Sequence, residues 1–275
     1  MDFLHSWIVP PESFAPLAYP FLAAAALFFV SVDKGGLGGG LGIVSVPLLM
    51  QAAPLEFSIG MWLPVLVVCD FCTVRNYPSE WRFSAISKLV IPVLLAIAGT
   101  TAALHWMDLK SDSPQSKQLE AWLKLSIAAM SIIFLILRMR PAPDEIDPPW
   151  TPTWPASWLI GIIGGITTTI AHAAGPVFTM YLLPQKLGRR EYIGTTGRFY
   201  FTMNTLKLPS FIAISLVNLH TLRYAVWLMA LSPFGVLLGS YLNRRMSPVW
   251  FVRIVHASLV LVSAKFAWDA WKVLA

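Results

Sequence analysis

Apolar runs separated by short polar connections dominate the chain. Their cores are Phe21 to Val32, Gly60 to Val74, Leu89 to Leu104, Leu125 to Leu137, Ser210 to Val217, Tyr224 to Leu242 and Ile254 to Trp268. With their flanks, these runs approach the roughly 20 residues a membrane-spanning helix needs. Two stretches break the rhythm. "VDKGGLGGGLGIVSVPLLM", Val32 to Met50, places Asp33, Lys34 and six glycines inside an otherwise apolar segment. "TTTIAHAAGPVFTMYLLPQ", Thr167 to Gln185, interrupts the second half with His172, Gly175 and Pro176. The pattern predicts an all-α polytopic membrane protein. A broken element over Leu17 to Met50 is followed by helices near 57–75, 86–107 and 119–138. A second broken element over Ser157 to Leu183 is followed by helices near 192–217, 221–243 and 249–273.

Composition agrees. Charged residues make up 12% of the chain, against about 25% in soluble domains. The net charge of +6 does not argue for nucleic acid, because basic residues collect in the cytoplasmic loops of membrane proteins. Met1 to Pro20 contains no Lys or Arg, so no cleaved leader is expected. The two cysteines form "CDFC", Cys69 to Cys72. The spacing is that of a redox motif, but it lies inside an apolar helix, where packing is the plainer reading. No disulfide framework follows.

The two halves are related. A shift of 134 positions carries Leu48-Leu49 onto Leu182-Leu183, Gln51 onto Gln185, Leu41-Gly42 onto Gly175-Pro176 and Asp70 onto Asn204. A looser match pairs Pro92 and Gly99 with Pro233 and Gly239. The junction "RPAPDEIDPPWTPTWPAS", Arg140 to Ser157, suits an aqueous connector. The expected organisation is a first repeat at 1–139, a linker at 140–156 and a second repeat at 157–275.

The broken elements allow two topologies. Each crosses the membrane once, which gives parallel halves, or each enters, turns near the midplane and leaves, which gives inverted halves. Four cations lie within membrane segments: Lys34, Arg198, Lys207 and Lys265. The hairpin topology puts Arg75, Arg82, Lys88, Arg138, Arg140, Lys186, Arg189, Arg190, Arg244, Arg245 and Arg253 on one side. Lys110, Lys117, Lys124, Arg223 and Lys272 fall on the other, a division of eleven to five. Single crossings divide the same sixteen nine to seven. The positive-inside rule favours the uneven division, so the hairpin is preferred, with both termini outside.

Irregular backbone at membrane depth is tolerated only where protein or a watery cavity satisfies it. Gly35 to Gly42 is the expected first turn, and Gly175-Pro176 the second, with proline at a favoured first helical position. Each returning half-helix would offer unpaired N–H groups and a positive dipole end, an anion seat. The candidate binding residues are Lys34, Gly38, Gly39, Gly40, Gly42, His172, Gly175, Pro176, Asn204 and Lys207. Lys207 follows Asn204 by three residues on one helical face. Arg198 points elsewhere and reaches for an interface. Asp70 is a proton-coupling candidate or a packing hydrogen-bond partner. His172 is an anion ligand or a packing histidine. The glycines fit neither a phosphate loop nor GxGxxG; three overlapping GxxxG pairs also suit plain helix packing. No His, Cys and carboxylate spacing resembles a metal site, and no cofactor is expected.

"GLGGGLGIVSVPLL", "LPVLVVCDFCTVRNYPSEW", "IAHAAGPVFTMYLLP" and "FTMNTLKLPSF" together resemble the TauE/SafE family of membrane permeases. The resemblance covers both halves. It implies a transporter of small sulfur-containing anions, such as sulfite or an organosulfonate, in the bacterial inner membrane, driven by an ion gradient. The expected partners are the anion, membrane lipid and, as an open question, further copies of the chain. An anion channel, an intramembrane enzyme using His172, Asp70 or the cysteines, and a non-transporting scaffold are the rivals. Against the enzyme, no nucleophile stands beside an obvious base.

Overall fold

The computed structural model describes residues 7–38, 42–106 and 149–245 and the isolated positions 125, 129, 264, 268 and 271. Gly39, Gly40 and the helices expected near 119–138 and 249–273 lie outside the described residues, save those isolated positions. All regular elements among the described residues are helical: α1 Tyr19–Gly36, α2 Gly42–Leu49, α3 Leu55–Asn76, α4 Ser87–Trp106, α5 Trp154–Ala171, α6 Gly175–Leu182, α7 Arg189–Ala213 and α8 Leu219–Arg245. Short 3-10 turns, Phe83–Ala85 and Leu183–Gln185, precede α4 and follow α6. Pro20, Pro155 and Pro176 are the second residues of α1, α5 and α6, where a missing N–H removes no helical hydrogen bond.

Four described helices are long and apolar enough to cross a membrane: α3, α4, α5 and α8. α7, with 25 residues, is long enough but too polar, and its polarity points inward. Thr195, Thr196, Asn204 and Lys207 are buried, while Leu206 and Ile212 are exposed. The outer surface carries Phe21, Phe28, Ile91, Leu95, Leu159, Phe234 and Leu237. Apolar outside and polar inside is the arrangement hydrocarbon selects, because polar side chains in a membrane turn to the bundle interior.

Both broken elements double back. Ahead of α1, the Phe14 N–H and the Ser13 hydroxyl donate to the Ala52 carbonyl, just past α2. Ahead of α5, the Trp150 N–H donates to the Pro184 carbonyl, just past α6. Each foot therefore closes on itself. The first foot lies at the starts of α3 and α8, where Glu12 meets His220 and His220 packs on Phe57. The second lies at the start of α4, where the Gln185 side chain donates to the Ala85 carbonyl. α3 ends and α7 starts at that second end, so the two hairpins open at opposite ends of the bundle.

The first turn differs from the expected one. α1 runs past Asp70 until the Gly35 carbonyl accepts from the Tyr77 hydroxyl and the Gly36 carbonyl from the Asn243 amide. Gly35 and Gly36 are in its last turn, pressed against the backbone of Val236 and Gly239 on α8. They serve packing, not reversal; Gly38, at φ 83°, begins the reversal. In the second half the left-handed residue is His172, at φ 52°, and not Gly175, which is the first residue of α6. Gly38 and His172 are 134 apart, the same offset that aligns Leu48-Leu49 with Leu182-Leu183.

Close crossings need glycine elsewhere too. On α3, a Cβ at Gly60 would strike the Leu216 carbonyl; on α7, a Cβ at Gly194 would strike the Glu80 carbonyl. These obstacles are backbone and cannot rotate away. Gly60→Ala is expected to cost about 1–3 kcal/mol, the usual penalty for overpacking. Gly99→Ala, where nothing lies within 4 Å, should instead be neutral or gain about 0.5–1 kcal/mol from helix propensity. Thermal unfolding in detergent checks the contrast; equal midpoints for the two variants would refute it.

Candidate functional site

Two buried polar clusters meet between the hairpins. In the first, the Lys34 ammonium from the last turn of α1 lies 2.6 Å from an oxygen of Asp70 on α3. The other Asp70 oxygen accepts from the Asn204 amide of α7 at 2.7 Å. The Tyr200 ring lies under the Lys34 ammonium, 3.7 Å from ring centre to nitrogen. Asp70 is fully buried, and Lys34 and Asn204 are nearly so. The pairing answers the desolvation problem, because a charge alone at this depth is far more costly than a hydrogen-bonded pair.

The second cluster lies one turn further along α7. The fully buried Lys207 ammonium donates to the Thr168 carbonyl at 2.9 Å, to the Thr168 hydroxyl at 3.2 Å and to His172 Nδ1 at 3.0 Å. His172 Nε2 lies 2.9 Å from the Ile59 carbonyl on α3. Lysine can only donate and a carbonyl can only accept, so the network assigns a neutral imidazole with its proton on Nε2. Both ring nitrogens are engaged, which holds the left-handed backbone in place. The Phe211 ring lies 5.5 Å from the ammonium.

The two turns converge. A Cβ on Gly42, the first residue of α2, would lie 3.7 Å from the His172 carbonyl oxygen. The start of α6, Gly175 and Pro176, is buried three residues after His172. Gly38 is flanked by the Tyr192 ring and the Thr196 hydroxyl of α7. The structure thus brings together Lys34 with Asp70 and Asn204, Lys207 with His172, and His172 with Gly42. It gives Lys34 a different setting from the one expected: its charge is met by Asp70. Arg198 stands apart. It donates to the Tyr77 and Pro78 carbonyls and covers Trp81, anchoring the α3–α4 connection.

That connection is clasped to α7. Arg190 holds Glu80 at 2.7 Å, and Arg82 forks onto Glu191 at 2.8 and 3.0 Å. The hydrogen bond from Arg190 holds the Glu80 carboxyl below its ordinary range. Its contribution is therefore present at and above the ordinary glutamate range and is lost only as pH falls through the lowered value.

Thr168 and Tyr200 are site residues that sequence reasoning missed. A signal exists for each. Thr168 lies 134 positions after Lys34, the offset noted in the sequence, and Tyr200 precedes Asn204 by four residues on one helical face. Among the described residues, no cluster of three or more His, Cys, Asp or Glu could hold a metal ion.

No curated protein and no solved structure matches the chain. A family model does, across both hairpins and the helices that carry the two lysines. That model, described as Sulfite exporter TauE/SafE, matches residues 23–266, and the chain belongs to the TauE/SafE family of membrane transporters.

Proposed function

We propose that the chain is a secondary transporter of a small sulfur oxyanion, sulfite or an organosulfonate, with the anion held between the starts of α2 and α6 and against Lys207. Family membership implies membrane transport of sulfite or a related sulfur anion. One observation carries the finer reading. Lys207 is a fully buried cation whose hydrogen bonds go only to neutral acceptors among the described residues. Lys34 has a carboxylate; Lys207 has none within its cluster. A buried cation without a counter-ion is costly, and an anionic substrate supplies one. Half-helix starts beside it add N–H donors and dipole.

The proposed architecture is a pair of inverted repeats, 1–139 and 157–275, joined by the linker, with re-entrant hairpins. Three features support it. The hairpin feet lie at opposite ends. Repeat mates Asp70 and Asn204 touch each other, as residues beside a twofold axis do. Contacts are reciprocal: Ile59 of α3 meets the second turn at His172, while Tyr192 and Thr196 of α7 meet the first at Gly38. Among the described loops, the end bearing Arg82, Arg190 and Arg245 is the basic one and is assigned to the cytoplasm, leaving both termini outside the inner membrane. Alternating access would come from one half rocking against the other, and Asp70 would carry the coupling proton.

The test is uptake into proteoliposomes of sulfite, thiosulfate, methanesulfonate and acetate, with counterflow from preloaded vesicles. Saturable uptake of a sulfur oxyanion with counterflow overshoot is expected. Uptake without overshoot indicates a channel, and no uptake of any sulfur anion removes the proposal.

A further inference from the structure

α3 carries two buried hydrogen-bond donors that the network around Lys207 does not use. The Ser58 hydroxyl and the Trp62 indole N–H belong to side chains with no solvent exposure, and neither has a hydrogen-bond partner among the described residues. They are four residues apart, so they stack on one face of the helix. They bracket Ile59, whose carbonyl holds His172 at the second turn. Protein interiors rarely leave such groups unmade, and each one left so lowers stability. Two together, on one face and within one helical turn, mark a place where something else accepts.

The repeat says where that place is. Carried forward by 134 positions, Ser58 and Trp62 become Tyr192 and Thr196. Those two residues flank Gly38, the reversal point of the first hairpin. The repeat mate of Gly38 is His172, and α3 already touches His172 through Ile59. The proposed twofold relation would set positions 58 and 62 toward the second turn as 192 and 196 stand toward the first. In the second half the position is closed: the Thr196 hydroxyl donates to its own helix, at the Tyr192 and Ile193 carbonyls. In the first half it is open, because an indole N–H cannot reach back to its own backbone.

We infer that Ser58 and Trp62 are substrate-binding residues which donate hydrogen bonds to the oxygens of the anion held by Lys207. This rests on the transport reading above and adds a specificity element to it. A pyramidal or tetrahedral oxyanion with several acceptor oxygens meets one ammonium and two neutral donors from different sides. A planar carboxylate presents its acceptor lone pairs in one plane, and a halide accepts hydrogen bonds as a single sphere with no oxygens spread toward separate donors. The site therefore selects sulfur oxyanions over acetate and chloride.

The experiment measures binding of sulfite, methanesulfonate, acetate and chloride to purified full-length protein. It uses isothermal titration and thermal shift for the wild type, Trp62→Phe and Ser58→Ala. Trp62→Phe keeps an aromatic ring in the core and removes only the donor and the second ring. Ser58→Ala removes a single hydroxyl and keeps the helix. Both are expected to weaken sulfite binding about tenfold, the equivalent of roughly 1.4 kcal/mol, and to narrow the preference for sulfite over acetate. The unliganded Ser58→Ala protein should unfold no earlier than wild type, because an unmet donor has been removed. A purely structural hydroxyl would give the opposite, an earlier midpoint with unchanged binding. Tryptophan emission should shift on adding sulfite to the wild type, and that component should vanish in Trp62→Phe. Wild-type affinity and selectivity in both variants would overturn the inference while leaving the transporter intact. A wild type that binds no sulfur anion would overturn both.

Discussion

Lys207→Met is expected to abolish transport while leaving a folded protein. The ammonium is the only full charge in its cluster among the described residues, and a charge-assisted hydrogen bond is worth about 1.5–3 kcal/mol, so anion affinity should fall about 10- to 100-fold. Methionine fills a similar volume without charge. Its effect on stability is the difference of two terms. Loss of the donor leaves His172 Nδ1 unmet, at about 1–3 kcal/mol, while the Thr168 carbonyl keeps the His172 N–H; loss of an unneutralised buried cation offsets this. The readouts are uptake in proteoliposomes and the sulfite-induced thermal shift. Transport at the wild-type rate would exclude Lys207 from the binding site.

Asp70→Asn should give the larger stability effect. It strands Lys34 without its carboxylate, and breaking a buried pair from one side costs about 3–5 kcal/mol. Removing both partners, as Lys34→Met with Asp70→Leu, should restore most of the loss, since apolar replacement of a buried pair is often neutral or better. The two effects of Asp70 then separate. If its carboxylate also carries the coupling proton, the double variant is stable yet no longer accumulates anion in response to an imposed pH gradient. Continued response would leave Asp70 with a structural function only. An Asp70→Asn protein as stable as wild type would show that the pair is not the keystone its burial suggests.

Much of this was legible in the sequence because it depends on local pattern. Helix bounds for α3, α4 and α8 follow from apolar runs ending in polar residues. Asn204 and Lys207 sit three apart on one helix, a spacing that puts both on one face, and their polarity turns that face to the bundle interior. The proposed repeat rests on leucines, a glutamine and an acid–amide pair that fall at one offset. Contacts between distant residues were not legible. Lys34 and Asp70 meet only because α1 and α3 run side by side, which no spacing within either helix reveals. The reversal at His172 escaped notice because left-handed backbone is normally assigned to glycine; here a side chain held at both ring nitrogens takes its place. Gly35 and Gly36 looked like turn residues for the same reason, although α8 needs their missing Cβ. Ser58 and Trp62 looked ordinary because an unmet donor is a property of the surroundings.

The contact between Asp70 and Asn204 bears on what a single chain can do that a dimer cannot. Were the halves separate, identical subunits, each residue at this place would confront its own twin. Two carboxylates there would repel unless they shared a hydrogen, and two amides would bring no charge to answer Lys34. On the proposed repeat architecture, covalent fusion frees the twins to diverge, so that one brings the charge and the other steadies it. On the proposed reading, the same liberty lets each half place its lysine at a different position, one neutralised at home and one left for a visitor.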